Sequence, residues 1–105
     1  MSAALNLSIA TLAIRRYPDI AAFRDHVDGL VREAAAKGSQ LLLLPELTCL
    51  GLLWGDPAAG RTSVPEVAAL YRRRLTPLLQ DYTAALRDMA QRNRIAIAGA
   101  TFWHE

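Results

Sequence analysis

Leu41-Leu42-Leu43-Leu44-Pro45-Glu46-Leu47 is an apolar run that stops at a proline and hands the next position to a carboxylate. A continuous hydrophobic run of this kind reads as a strand buried on both faces. In open α/β sheets, chemistry gathers just beyond the carboxyl ends of such strands. Glu46 is therefore expected at the edge of a sheet where a reaction could take place.

The stretches on either side supply the rest of a layer. Upstream, Tyr17-Pro18-Asp19 precedes a stripe of Ile20, Phe23, Val27, Leu30, Val31 and Ala34, with Arg24, Asp25, Asp28 and Arg32 on the opposite side. That period predicts an amphipathic helix. It ends at Lys37-Gly38, a basic last turn followed by the residue best suited to a left-handed stop. Further upstream, Leu5, Leu7 and Ile9 alternate with Asn6 and Ser8, which predicts a first strand. Strand, helix and strand in this order imply a parallel pair joined by a crossover.

Downstream, glycines 51, 55 and 60 with Asp56 and Pro57 break any period, so Thr48 to Thr62 reads as a loop of functional length. Ser63-Val64-Pro65-Glu66 has the form of a capping box, and Val67, Leu70 and Tyr71 begin a buried stripe. Thr76-Pro77 divides this helical region, because proline suits a first turn and breaks an interior. A second helix through Leu78, Leu79, Tyr82, Leu86 and Met89 stops near Asn93. Ile95-Ala96-Ile97-Ala98-Gly99-Ala100 then alternates large and small residues as a third strand. The order β-α-β-α-α-β is that of an α/β layer with a parallel sheet. Three strands are few for such a sheet, and the last has no helix after it, so the chain reads as the first part of a larger domain.

Composition bounds the function. A chain of 105 residues makes one small domain or part of one and buries roughly two thirds of its unfolded surface. That suffices for a modest core and not for a deep, walled pocket. The formal charge of +2, with eleven arginines and the single Lys37, does not argue for nucleic acid or a membrane as partner. One cysteine, Cys49, excludes an internal disulfide framework and a Cys-rich zinc site, and fits a reducing, cytoplasmic setting. The apolar stretch from Ala3 to Ile14 is too short to span a bilayer. Its charges, Arg15 and Arg16, follow it where a signal peptide would have them first.

Together, the opening strand Leu5-Asn6-Leu7-Ser8-Ile9-Ala10, the helix, Gly38, the apolar strand, Leu44-Pro45-Glu46-Leu47 with Gly51 five residues beyond the glutamate, and Arg94-Ile95-Ala96-Ile97-Ala98-Gly99 resemble the N-terminal third of the carbon–nitrogen hydrolase (nitrilase) superfamily. The resemblance covers residues 1–105, and its distinctive part is the Pro-Glu segment. It implies the N-terminal part of an α-β-β-α sandwich, with the domain cut short at its C-terminus. It also implies hydrolysis of a non-peptide carbon–nitrogen bond in a small amide, nitrile or carbamoyl substrate, without a cofactor or metal, in a protein that forms homo-oligomers. In the family a glutamate base activates a cysteine thiol, and a lysine stabilises the developing negative charge; a fixed base and a fixed cation are what such nucleophilic catalysis needs. Only Glu46 carries over. The family's lysine and cysteine lie on later strands, past Glu105.

Other candidates have simpler readings. Lys37 ends a helix and Cys49 stands in a loop, where a small packed residue is the expectation. Gly55 to Thr62 imitates a phosphate-binding loop, but Pro57 removes an amide and Asp56 adds a repelling charge. Arg72-Arg73-Arg74 points to different helix faces and reads as solvated surface. His26 borders an apolar stripe as a packed or surface histidine. His104-Glu105 would begin a zinc motif only on a helix with a second histidine four positions after the first, a position past Glu105, and Trp54 and Trp103 read as core. Two function classes stand: a hydrolase with Glu46 as general base, or a catalytically silent relative whose exposed sheet face binds another chain. The isolated residues are expected to show no hydrolysis and to self-associate through that face.

Overall fold

The computed structural model describes residues 4–10, 16–45, 48–53 and 64–99. Among them the order is β1 (Leu7–Ile9), α1 (Ile20–Ala36), β2 (Leu41–Leu43), α2 (Leu50–Leu53), α3 (Val64–Arg74), a 3₁₀ turn (Thr76–Leu78), α4 (Leu79–Asn93) and β3 (Ala96–Ala98). The three strands form one parallel sheet in the order β1-β2-β3. The expected mixed α/β class and parallel start are present. The strands are shorter than the apolar runs that encode them, and Thr48 to Thr62 is not wholly loop, since α2 makes one helical turn within it. Burial explains that turn: Gly51, Leu52 and Leu53 are all buried, and packing offsets the poor helix propensity of Gly51. The proposed cap Ser63 and the phosphate-loop look-alike lie outside the described residues, as do Trp54, Trp103 and His104.

Helix α1 forms where its period predicts. The Asp19 carboxylate accepts from the Ala22 amide at 2.9 Å and caps its start. Its end is a Schellman turn: the Gly38 amide donates to Ala35 O (3.0 Å) and the Ser39 amide to Ala34 O (3.1 Å), with Gly38 at φ 81°. Phe23, Val27, Val31 and Ala34 are buried, as the stripe requires. Asp28 is drawn in from the polar side, because Arg32 (3.1 Å) and Arg92 (3.6 Å) both reach it. At the far end of the helical layer, Arg94 closes α4 in the left-handed region at φ 52°, an unusual place for a side chain. Thr76-Pro77 does separate α3 from α4.

Register decides which face of the sheet is covered. Ser8, Leu42 and Ile97 are paired across the strands, so they share a face. Leu42 on that face is buried in one cluster with Phe23, Val27, Val31 and Met89, and Ile97 packs against the cluster. Helices α1 and α4 thus lie side by side over this face, joined by Phe23 and Tyr82 with ring centroids 5.2 Å apart. The other face carries Leu7, Leu41 and Ala96 in one row and Ile9, Leu43 and Ala98 in the next. Leu5, Leu7 and Ile9 are 65%, 46% and 71% exposed there. Burial of β2 on both faces is therefore met on one face only among the described residues, because no second layer lies over Leu41 and Leu43.

This orientation makes a direct prediction. In urea unfolding of the chain, Leu42→Ala lowers stability by about 2–5 kcal/mol, the cost of a cavity under the helices. Ile9→Ser on the open face stays within about 0.5 kcal/mol of the parent. Equal losses would mean that the faces are assigned the wrong way round. Gly29 lies on the exposed side of α1, and a Cβ built there meets no atom within 4 Å. Gly29→Ala is expected to raise the unfolding midpoint, with a gain of about 0.5–1 kcal/mol from helix propensity and lost unfolded-state entropy.

Candidate functional site

Parallel strands all end at one edge of the sheet, and the segments that leave this edge are tied to one another. Leu44, the residue after β2, is buried, and its amide donates to Ala98 O at 3.0 Å. On the other side of β2, the Ala10 amide donates to Leu43 O at 2.9 Å. The central strand is therefore bonded to both neighbours up to the point where the chain leaves it. Tyr17, on the way from β1 to α1, donates its amide to Gly51 O at 2.9 Å. Beyond β3, the Tyr82 hydroxyl donates to Gly99 O at 2.5 Å.

Glu46 itself, with Leu47, lies outside the described residues. The residues around it are placed. Thr48 Oγ1 donates to Pro45 O at 2.6 Å. Cys49 follows, fully buried, and its carbonyl accepts the Leu52 amide at 2.9 Å. Six residues thus separate a strand bonded on both sides from a buried helical turn.

Cys49, three positions after Glu46, is not a reactive thiol. Burial pushes the Cys49 thiol above its ordinary value, and hydrogen bonds from its backbone surroundings and the Tyr71 side chain only partly oppose the shift. Tyr82 is likewise pushed up, first by burial and then by its neighbours Cys49 and Tyr71. A nucleophilic cysteine needs thiolate character and access, and Cys49 has neither. It is the packed residue that its sequence context suggests.

Lys37 is no cation for this edge. It follows α1 and precedes β2, so it stands at the opposite end of the sheet, with Nζ 3.1 Å from Glu33 Oε1. His26 packs as expected: it is half-buried, with Nδ1 2.5 Å from the Tyr17 hydroxyl. Among the described residues, no group of three His, Cys, Asp or Glu side chains could hold a metal ion, and no helix is long and apolar enough to cross a membrane. The open clefts that are described lie elsewhere. The one of about 440 Å³ runs beside β3, between Leu79, Tyr82, Leu86, Arg87 and Gly99, and does not touch the segment around Pro45.

Arg74 departs from its sequence reading. Arg72 and Arg73 are exposed, but Arg74 is half-buried, donating from Nε to Leu52 O (3.2 Å) and from Nη2 to Pro18 O (2.6 Å). The signal was present in the spacing: Arg74 falls four positions after Leu70 and three after Tyr71, both buried, so it continues their stripe. The three arginines do point to different faces, and the face of Arg74 is the one that packs.

Cys49 supplies two measurements. Its thiol is expected to react with an aromatic disulfide reagent at pH 8 far more slowly in the folded chain than in urea; equal rates would show it accessible. Its folded-state pKa is raised, so the unfolded chain loses its thiol proton first as pH climbs past 9.0, and stability falls with rising pH from there. Cys49→Ser removes that contribution and flattens the alkaline slope.

The family description of carbon–nitrogen hydrolases matches residues 3–105, almost the whole chain. No curated protein matches the chain significantly. Neither does any solved structure.

Proposed function

Because the chain belongs to the carbon–nitrogen hydrolase family, we propose that it forms the N-terminal portion of a hydrolase of non-peptide carbon–nitrogen bonds in which Glu46 is the general base. The substrate class is a small amide, nitrile or carbamoyl compound. The observation that carries the reading is the position of Leu44 and Pro45. They leave the C-terminal edge of a parallel sheet, between strands that hold β2 on both sides, and that edge is where an α/β sheet does its chemistry.

The reaction follows from the family's chemistry. Glu46 takes the proton of a cysteine thiol as the sulfur attacks the substrate carbon, and a lysine ammonium stabilises the negative charge formed there. With an amide, carbon–nitrogen cleavage returns that proton to the departing amine and leaves a thioester; with a nitrile the proton goes to nitrogen, and the thioimidate takes up one water before ammonia departs to leave the same thioester. Glu46 then takes a proton from water, the hydroxide attacks the thioester carbon, and the acid departs as the thiol is restored. A carboxylate can do this only with a pKa drawn toward working pH, for which Leu44, Pro45 and Leu47 offer apolar neighbours. Lys37 and Cys49 are engaged elsewhere, so later strands of the same domain supply the cation and the nucleophile. The apolar face of Leu5, Leu7 and Ile9 fits the inner side of a sandwich, and it also suits the alternative of a silent interaction module. Family membership favours the hydrolase. A cytoplasmic homo-oligomer completes the proposal.

Glu46→Gln tests it, in the hydrolytically active protein that carries these residues. The amide side chain cannot accept a proton, so turnover is expected to fall by about 10²–10⁴-fold or more, with an unchanged circular dichroism spectrum. Retained turnover would refute the assignment.

A further inference from the structure

Tyr17 and Arg74 close on a piece of structure that cannot hold itself. Helix α2 has four residues, Leu50–Leu53, and a single turn fixes more backbone than its own hydrogen bonds offset. Carbonyls at the end of a helix have no intrahelical donor left to them. Two in α2 are met from outside: Gly51 O by the Tyr17 amide at 2.9 Å and Leu52 O by Arg74 Nε at 3.2 Å. Gly51 and Leu52 are both buried, and a buried carbonyl without a donor is costly.

The elements that supply these donors are rooted in the core. Tyr17 is buried, its ring edge-on to Phe23 with centroids 5.5 Å apart, and Asp19 caps α1 two positions later. Arg74 precedes the fully buried Leu75, whose amide donates to Tyr71 O at 2.8 Å. Its Nη2 donates to Pro18 O at 2.6 Å. One guanidinium thus reaches from the end of α3 to the approach to α1 and takes a carbonyl of α2 on the way, which the fixed fork of an arginine allows. Helices α1 and α4 have ties of their own that do not pass through α2: Arg24 to Asp88 at 3.0 Å, Arg92 to Asp28 at 3.6 Å, and the stacked Phe23 and Tyr82.

We propose that α2 is a latched flap, with Arg74 as its latch, which opens as one unit while the sheet, α1 and α4 stay folded. Openings of this kind occur in segments with few stabilising bonds of their own. Opening uncovers Cys49, which is fully buried, adjoins α2 and accepts the Leu52 amide at its carbonyl (2.9 Å). The flap is a conformational device of the described residues and requires no role for Glu46. Cys49 carries the only thiol of the chain, so its labelling reports the flap directly.

The experiment measures how fast an aromatic disulfide reagent labels Cys49 at pH 8, from no urea up to the unfolding transition, relative to the unfolded chain. A separate flap exposes little surface, so labelling at low urea is expected to be nearly independent of denaturant and to join the slope of global unfolding only near the transition. Arg74→Met keeps the apolar stem and leaves Leu52 O without its charged donor; without urea it is expected to speed labelling by about 10–100-fold. Arg74→Lys, which keeps the cation and loses the fork, falls between Arg74→Met and the parent. Leu42→Ala, which removes packing under α1 and α4, lowers the unfolding midpoint and leaves the rate without urea within about twofold of the parent. Labelling that follows the global slope from the start, or that Leu42→Ala speeds as much as Arg74→Met does, would show that Cys49 is reached only when the whole chain unfolds, and would remove the flap. A flat urea dependence with parental rates in both Arg74 variants would remove Arg74 as its latch. If Arg74→Met does not fold, Arg74→Lys decides on the same readouts.

Discussion

The packing of Leu42 beneath α1 and α4 is the contact from which the rest of the arrangement follows. It sets which face of the sheet is covered, and because the strands are parallel it also sets which edge gathers their ends. Parallel pairing forces each connection to cross the sheet as a helix. With both helices on one side, the segments after β1, β2 and β3 emerge together at a single edge. The bonds from Ala10 to Leu43, Leu44 to Ala98, Tyr17 to Gly51 and Tyr82 to Gly99 are found there. A site at that edge is inherited from topology before any side chain is chosen.

The layer of helices was legible where one period and one punctuation mark agreed. Phe23, Val27 and Val31 repeat at helical spacing, and Gly38 ends the helix at the residue that needs a positive φ. Thr76-Pro77 breaks the second helical region for a steric reason local to the chain. In β3, Ile95 and Ile97 turn toward the helices while Ala96 and Ala98 turn away, as the alternation of sizes suggests. What was not legible depends on tertiary contact. Turn α2 contains Gly51 and no cap that sequence could show; it is held by burial and by a side chain more than twenty positions away. Arg74 departs from the solvated surface expected of its run because it alone of the three continues the buried stripe of Leu70 and Tyr71. For the candidate site, the Pro-Glu segment marks Glu46 by pattern alone, whereas the bonds of Thr48 to Pro45 and of Arg74 to Leu52 are turn or long-range contacts that no period encodes.

Cys49 shows why proximity in sequence is a poor guide to shared chemistry. It stands three positions from Glu46, and a thiol near a carboxylate base invites a catalytic pair. Yet it is fully buried with Tyr71 and Tyr82, and burial keeps its proton on. A thiol that resists ionisation contributes packing and stability below its pKa, where a nucleophile would need the opposite shift. Within four residues the sequence thus passes from the proposed general base, Glu46, to a residue whose part is packing, Cys49.

The uncovered face gives the same separation on a larger scale. Leu41 and Leu43 belong to the run that reads as doubly buried, and they are half-buried beside the exposed Leu7 and Ile9. A strand with one wet face would normally alternate apolar and polar residues, and β2 does not; its composition is that of the middle of a sandwich. In an α-β-β-α arrangement the helices stabilise one face and a second sheet the other. The edge at which Leu44 and Pro45 leave β2 then borders the inner layer of the fold, because Leu41 and Leu43 on the open face lead straight to it.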